Sequence, residues 1–207
     1  MYMKKLTSLL VVIFMAAVVV QSANAQSPVS IGLKGGMNIS NFSGSDFEYD
    51  AKTGLLVGAT LEFSVPALPF GIESGVYYTQ KGAKVEDSGV SGKVKLDYIE
   101  VPLTAKFQLG PPGPITPHFL IGPYIGFNMN AEAEFDDGEI FGGVDIDDQT
   151  KSSEFGGVAA VGLDFNVGVT KLNAQARYSY GFTSVFEDDA DDGEKNAVLS
   201  IALGITF

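Results

Sequence analysis

The chain has 207 residues, 45% hydrophobic and only 18% charged, yet it carries a formal charge of −12 and a mean hydropathy of +0.18. The acidic balance argues against nucleic acid, whose phosphates need a basic footprint. The absence of cysteine removes disulfides, thiolate zinc sites and cysteine nucleophiles. Its 25 glycines and 23 phenylalanines plus tyrosines (15 + 8) favour β-structure over a helical bundle.

The first element is a leader. Lys4 and Lys5 precede an unbroken apolar run from Leu9 to Val20, and Ala23-Asn24-Ala25 forms an A-x-A site before Gln26. That pattern predicts a secretory signal peptide over residues 1–25, cleaved after Ala25. The apolar run of 12 residues is short of the roughly 20 that a spanning helix needs. Without Lys4 and Lys5 the predicted mature domain, residues 26–207, has a formal charge of −14.

Eight stretches of period-2 alternation follow, each with an apolar and a polar face. They are Val29–Ile39, Gly54–Phe63, Phe70–Lys81, Val94–Phe107, His118–Met129, Glu154–Phe165, Val169–Gly181 and Asn196–Phe207. In the first, Val29, Ile31, Leu33, Met37 and Ile39 oppose Ser30, Lys34 and Asn38. In the last, Ala197, Leu199, Ile201, Leu203, Ile205 and Phe207 oppose Ser200, Gly204 and Thr206. Soluble strands average about 5–6 residues, whereas tilted membrane strands need about 9–11. An even number of long, two-faced strands predicts an all-β fold, an eight-stranded antiparallel up-and-down transmembrane β-barrel.

The connections alternate too. Ser64–Pro69, Gln108–Thr116 and Asn166–Gly168 are short or rich in Pro and Gly. Ser40–Thr53, Gly82–Lys93, Asn130–Ser153 and Phe182–Lys195 are longer and polar. Short periplasmic turns and long external loops are the barrel pattern, and the four long loops hold 19 of the 25 acids. The expected location is the outer membrane, crossed many times.

Several stretches resemble the bacterial outer-membrane β-barrel family loosely called porin-like or PorT-like. They are Gly32-Leu33-Lys34-Gly35-Gly36-Met37-Asn38-Ile39-Ser40, Tyr78-Thr79-Gln80-Lys81-Gly82-Ala83-Lys84, Leu96-Asp97-Tyr98-Ile99-Glu100-Val101-Pro102-Leu103, Ala176-Arg177-Tyr178-Ser179-Tyr180-Gly181 and Gly204-Ile205-Thr206-Phe207. The resemblance implies fold and location, and it brings no catalytic signature. The terminal aromatic Phe207 resembles the signal read by the barrel-assembly machinery, an expected partner alongside outer-membrane lipid.

The inner face is expected to carry Lys34, Glu62, Glu73, Lys81, Asp97, Glu100, Lys106, Asp164, Lys171 and Arg177. Asp164 with Lys171, and Glu73 with Lys106, fall nearly opposite each other across their hairpins. They are read as interior ion pairs forming a structural plug, because such pairing neutralises charges that could not be buried alone. Pro102 and Pro123 lack the ladder donor and are expected to mark bulges.

The acidic runs Asp145-Ile146-Asp147-Asp148 and Asp188-Asp189-Ala190-Asp191-Asp192 offer hard oxygen ligands suited to Ca²⁺ or Mg²⁺, although the EF-hand spacing fails. No other cofactor is implied. His118 is the only histidine; with no Ser or Cys partner identifiable it is expected to cap or pack beside a turn, and the chain is not expected to be an enzyme. Two functions remain: a monomeric structural or surface-interaction barrel contacting envelope or extracellular partners through its loops, or a transporter of small solutes or ions. A soluble periplasmic ligand-binding barrel would need the two faces reversed.

Overall fold

The computed structural model describes residues 28–44, 49–65, 68–87, 90–111, 113–136, 141–186 and 193–207. The predicted leader over residues 1–25 lies outside the described residues. Nine strands run in chain order: β1 (Val29–Ser43), β2 (Asp50–Ser64), β3 (Phe70–Asp87), β4 (Val90–Gln108), β5 (Ile115–Asp136), β6 (Phe141–Asp145), β7 (Ser153–Val167), β8 (Thr170–Gly181) and β9 (Lys195–Thr206).

All pairings between them are antiparallel, in the order β4-β3-β2-β1-β9-β8-β7-β5, and β4 also pairs with β5. That last pairing closes an eight-stranded barrel. Closure pairs the backbone all round, which a sheet in hydrocarbon requires because lipid offers no hydrogen bonds. No helix among the described residues is long and apolar enough to cross a membrane; the crossing elements are strands. The ninth strand, β6, is a short hairpin partner on the far end of β5.

The predicted faces appear in the burial pattern. Leu33, Met37, Leu55, Val57, Ile121, Ile125, Val161, Ile201 and Leu203 all lie exposed on the outer wall. Lys34, Asn38, Glu62, Glu73, Lys106, Asp164 and Arg177 are buried inside it. Aromatic rings edge the apolar band at both rims. Phe107 stacks on Phe119 at 4.7 Å near the turns, and Phe182 lies 5.9 Å from Phe155 and 6.2 Å from Tyr180 at the opposite rim. Such aromatic girdles mark the two membrane interfaces of barrels of this kind.

Two expectations need correction. Gly82–Lys93 and Asn130–Ser153 are not simply loops: β3 and β4 pair out to Asp87 and Val90, and β5 runs 22 residues to Asp136. At roughly 3.4 Å per residue, β5 spans about 75 Å, far more than the hydrocarbon core of roughly 30 Å. The hairpins therefore stand well clear of the lipid. Gly82 sits where β3 leaves the apolar band, with φ +119°. A Cβ there would meet the Val94 carbonyl oxygen at 2.0 Å, so this bend requires glycine.

Nor do the prolines mark bulges. The β3–β4 pairing runs Tyr77↔Glu100 and resumes at Ser74↔Leu103, and β4–β5 runs Pro102↔Tyr124 and resumes at Ala105↔Ile121. Both intervals are equal on the two strands, so rungs are skipped and no residue is inserted. The Ser74 hydroxyl donates to the Pro102 carbonyl at 2.8 Å. The bulge between β4 and β5 lies at Asp97/Tyr98 instead.

Candidate functional site: a filled lumen between two ends

The interior is built from inward residues of strands whose outward neighbours face lipid. At the end holding the short turns, Glu62 of β2 accepts from Lys106 of β4 at 2.9 Å and from Lys171 of β8 at 2.9 Å. Lys106 also meets Asp164 of β7 at 2.8 Å. Lys34 of β1 pairs with Glu73 of β3 at 2.5 Å. Higher up, Arg177 of β8 pairs with Glu100 of β4. Lys81 of β3 bridges Glu100 at 3.0 Å and Glu154 of β7 at 3.1 Å.

The paired cations are Lys34, Lys81, Lys106, Lys171 and Arg177, and the paired anions are Glu62, Glu73, Glu100, Glu154 and Asp164. Five stand against five, so the network is neutral. Burial of charge in a low dielectric is tolerated only with such pairing. Tyrosines complete the filling: Lys81 lies 4.6 Å from the Tyr124 ring centroid and 5.0 Å from that of Tyr98, and Arg177 lies 5.1 Å from that of Tyr77. Tyr124 donates its hydroxyl to Glu154, which also accepts from Asn196 at 2.7 Å.

The sequence pattern indicated the right inner face but not all its occupants or partners. Glu73 does not pair with Lys106, because register places Glu73 opposite Thr104 and Lys106 opposite Gly71. Asp164 and Lys171 share the inner face at 4.0 Å, a looser contact than either makes elsewhere. Asp97 is not interior. It shares the parity of Ile99 and lies on the outer wall, accepting from the Tyr78 hydroxyl at 2.8 Å and the Gln80 amide at 3.2 Å. Glu154, missed as an interior charge, takes its place. Its signal was parity with Gly156 and Asp164.

Above the ion pairs the lumen is closed by apolar side chains. Leu96, Tyr98, Ala83, Ala131, Ala133 and Phe42 pack with Ile146 and Val185, which the long connections carry inward. The backbone holds these connections in place: Lys151 donates its N–H to Val185 at 2.8 Å, and Val185 donates to Glu194 at 2.7 Å. Lys52, also buried, donates to the Lys81 carbonyl at 2.9 Å. Outside this lid, Lys93 meets Glu134 at 2.7 Å and Lys95 meets the same carboxylate. Hydrogen bonds from Lys93 and Lys95 hold the Glu134 carboxyl below the usual carboxylate range.

The acidic runs divide. Asp188, Asp189, Asp191 and Asp192 lie outside the described residues. Asp145 accepts the Asp147 N–H at 2.9 Å and Asp147 accepts the Ala131 N–H at 2.5 Å, while Asp148 is exposed. Among the described residues no three His, Asp or Glu groups are arranged to hold a metal ion. His118 is 1% exposed inside the barrel, 3.5 Å from Asp164 and packed on Gly162, so it does not cap a turn. Phe207 continues the ladder to β1, donating its N–H to the Ile31 carbonyl at 2.8 Å, and is 47% exposed.

Over residues 21–187 the sequence matches the family described as outer membrane protein beta-barrel domain. The chain belongs to that family. The barrel is similar to a major outer membrane protein from Thermus thermophilus, at 16% identity and a TM-score of 0.52, covering 86% of this chain and 98% of that one. It is also similar to Ail, the attachment invasion locus protein of Yersinia pestis (18%, TM-score 0.47, covering 86% and 98%). A further likeness is to Neisserial surface protein A (14%, TM-score 0.49, covering 87% and 98%). No curated protein sequence matches it. The family and the closed barrel together assign the chain to the outer membrane. The short turns and the two ends of the described barrel lie at one end of it, and the long hairpins at the other.

Proposed function

We propose that this small outer-membrane barrel has a structural or surface-interaction role, exerted through its acidic extracellular loops, and does not transport solutes. The observation that carries this reading is the filled lumen: a neutral network of buried ion pairs lies beneath an apolar lid that includes Ile146 and Val185. An eight-stranded barrel has an interior that side chains can fill, unlike the aqueous channel of 16–18-stranded porins. Porin-like passage, the alternative drawn from the sequence, gains no support from such an interior. Non-enzymatic action is part of the proposal, since His118 is buried beside Asp164 with no nucleophile bonded to its ring.

The same reading includes removal of residues 1–25 as a signal peptide and recognition of the Phe207 end by the assembly machinery. It also includes loose attraction of Ca²⁺ or Mg²⁺ to the acidic loops. Mass spectrometry of the protein from isolated outer membranes checks the first: an N-terminus other than Gln26 rejects that cleavage. The orientation is tested with single cysteines in this cysteine-free chain. Gln149→Cys on a long connection should react with an impermeant maleimide on intact cells. Val169→Cys, on the β7–β8 turn and 96% exposed, should react only after lysis. The opposite pattern would overturn the assignment of the acidic loops to the outside.

A further inference from the structure

The end that carries the short turns holds a cavity of about 550 Å³ between the β2–β3 and β4–β5 turns. Its walls include Val65, Leu68, Phe70 and Pro111, and its inner end is formed by Glu62 and Lys106. These two are 3% and 2% exposed and meet at 2.9 Å. Cavities of this size, mostly apolar with a few convergent polar groups, are the usual form of small-molecule sites.

We propose that this vestibule binds the zwitterionic end of a free apolar α-amino acid between Glu62 and Lys106. Each of these two charges keeps a second partner if their mutual contact opens. Breaking a buried ion pair is normally prohibitive because it strands a charge. Here it strands neither: Glu62 still holds Lys171 at 2.9 Å, and Lys106 still holds Asp164 at 2.8 Å. Both partners also line the cavity, so a ligand carrying both charges can reach this contact and replace it. Its ammonium takes the Glu62 oxygen that Lys106 releases, and its carboxylate takes the freed Lys106 donor.

An α-amino acid carries the two charges on either side of one carbon, matching two groups that already touch. In a longer peptide the termini lie too far apart to engage both. The body of the ligand then rests on Val65, Leu68 and Pro111, so apolar side chains are favoured. A ligand with a single charge would leave one member of the opened pair partly unpaired, and a neutral one would leave both so.

The test uses the protein taken from outer membranes into lipid nanodiscs, with empty nanodiscs as the control. L-leucine and L-phenylalanine are titrated by calorimetry and by saturation-transfer NMR. N-acetylleucine, which lacks the ammonium, and leucine methyl ester, which lacks the carboxylate, serve as comparisons. The expected result is saturable binding of the free amino acids, at least tenfold weaker for either analogue. Leu68→Asp, at a wall residue 51% exposed and outside the ion-pair network, should weaken leucine binding at least fivefold. Absence of binding, equal binding of the analogues, or indifference to Leu68→Asp would each overturn the proposal.

Discussion

Substituting Lys81 by Met should be among the most destabilising single changes in the barrel. Lys81 is 1% exposed and holds Glu100 at 3.0 Å and Glu154 at 3.1 Å. At an effective dielectric constant near 20, each contact is worth roughly 5 kcal/mol of gross attraction. Most of that offsets the cost of desolvating the ammonium, but the carboxylates remain buried when it is removed. Glu100 keeps Arg177, whereas Glu154 is left with neutral donors, among them Tyr98, Tyr124 and Asn196. Four cations then face five anions. Removing one partner of a buried pair costs about 3–5 kcal/mol, and the lost ring contacts add about 1 kcal/mol. The double change Lys81→Met with Glu154→Gln restores neutrality and should recover about half of that loss, an interaction within the usual range for contacting residues. The assay is urea unfolding in lipid vesicles followed by circular dichroism and heat-modifiable gel mobility, since the chain has no tryptophan. A single-mutant cost below about 1 kcal/mol, or strictly additive costs, would refute the description of a buried, charge-balanced network of ion pairs.

Other outcomes follow from the same geometry. Ile201→Lys, on an outward position of β9 that is 56% exposed, should cost about 2–4 kcal/mol in a bilayer if it lies near the midplane, measured by the same unfolding assay. Gly82→Val should prevent formation of the heat-modifiable folded band, because its φ and the Val94 carbonyl at 2.0 Å from a Cβ both exclude a β-branched residue. Glu134 should titrate below an ordinary glutamate in a carbon-13 NMR experiment, and Lys95→Ala should raise its midpoint. Its depressed folded value contributes stability above the unfolded pKa, and that stability is lost as pH falls through the folded one. The contribution should be small and weakened by salt, since Lys93 and Lys95 are more than one-third exposed.

The part of the fold within the lipid was legible because hydrocarbon on one side and a packed lumen on the other impose a strict period of two. The same rule misled beyond the membrane. There Ala83, Leu96, Ala131 and Ala133 turn inward while Lys84 and Glu132 face water and Glu134 pairs with Lys93 and Lys95 on the outer side. The apolar face changes sides at the interface, and the charged outer face of an extended hairpin reads as loop. The ion-pair partners were harder for a different reason. Hairpin register reports neighbours on adjacent strands, but Lys34–Glu73, Lys106–Asp164, Lys81–Glu154 and Arg177–Glu100 join strands that do not pair. Those contacts depend on the curvature and closure of the barrel. Asp97 was legible and misassigned: its parity with Ile99 already placed it outside, and an isolated acid on that wall is satisfied locally by Tyr78 and Gln80.

The central claim is that the lumen is sealed by its own side chains, and ion conductance across a planar bilayer tests it most directly. Purified protein inserted at high density should leave the membrane as silent as lipid alone at neutral pH and moderate voltage. Stable, uniform single-channel openings that scale with inserted protein, and that change in size in the Lys81→Met variant, would contradict it and restore the transport reading.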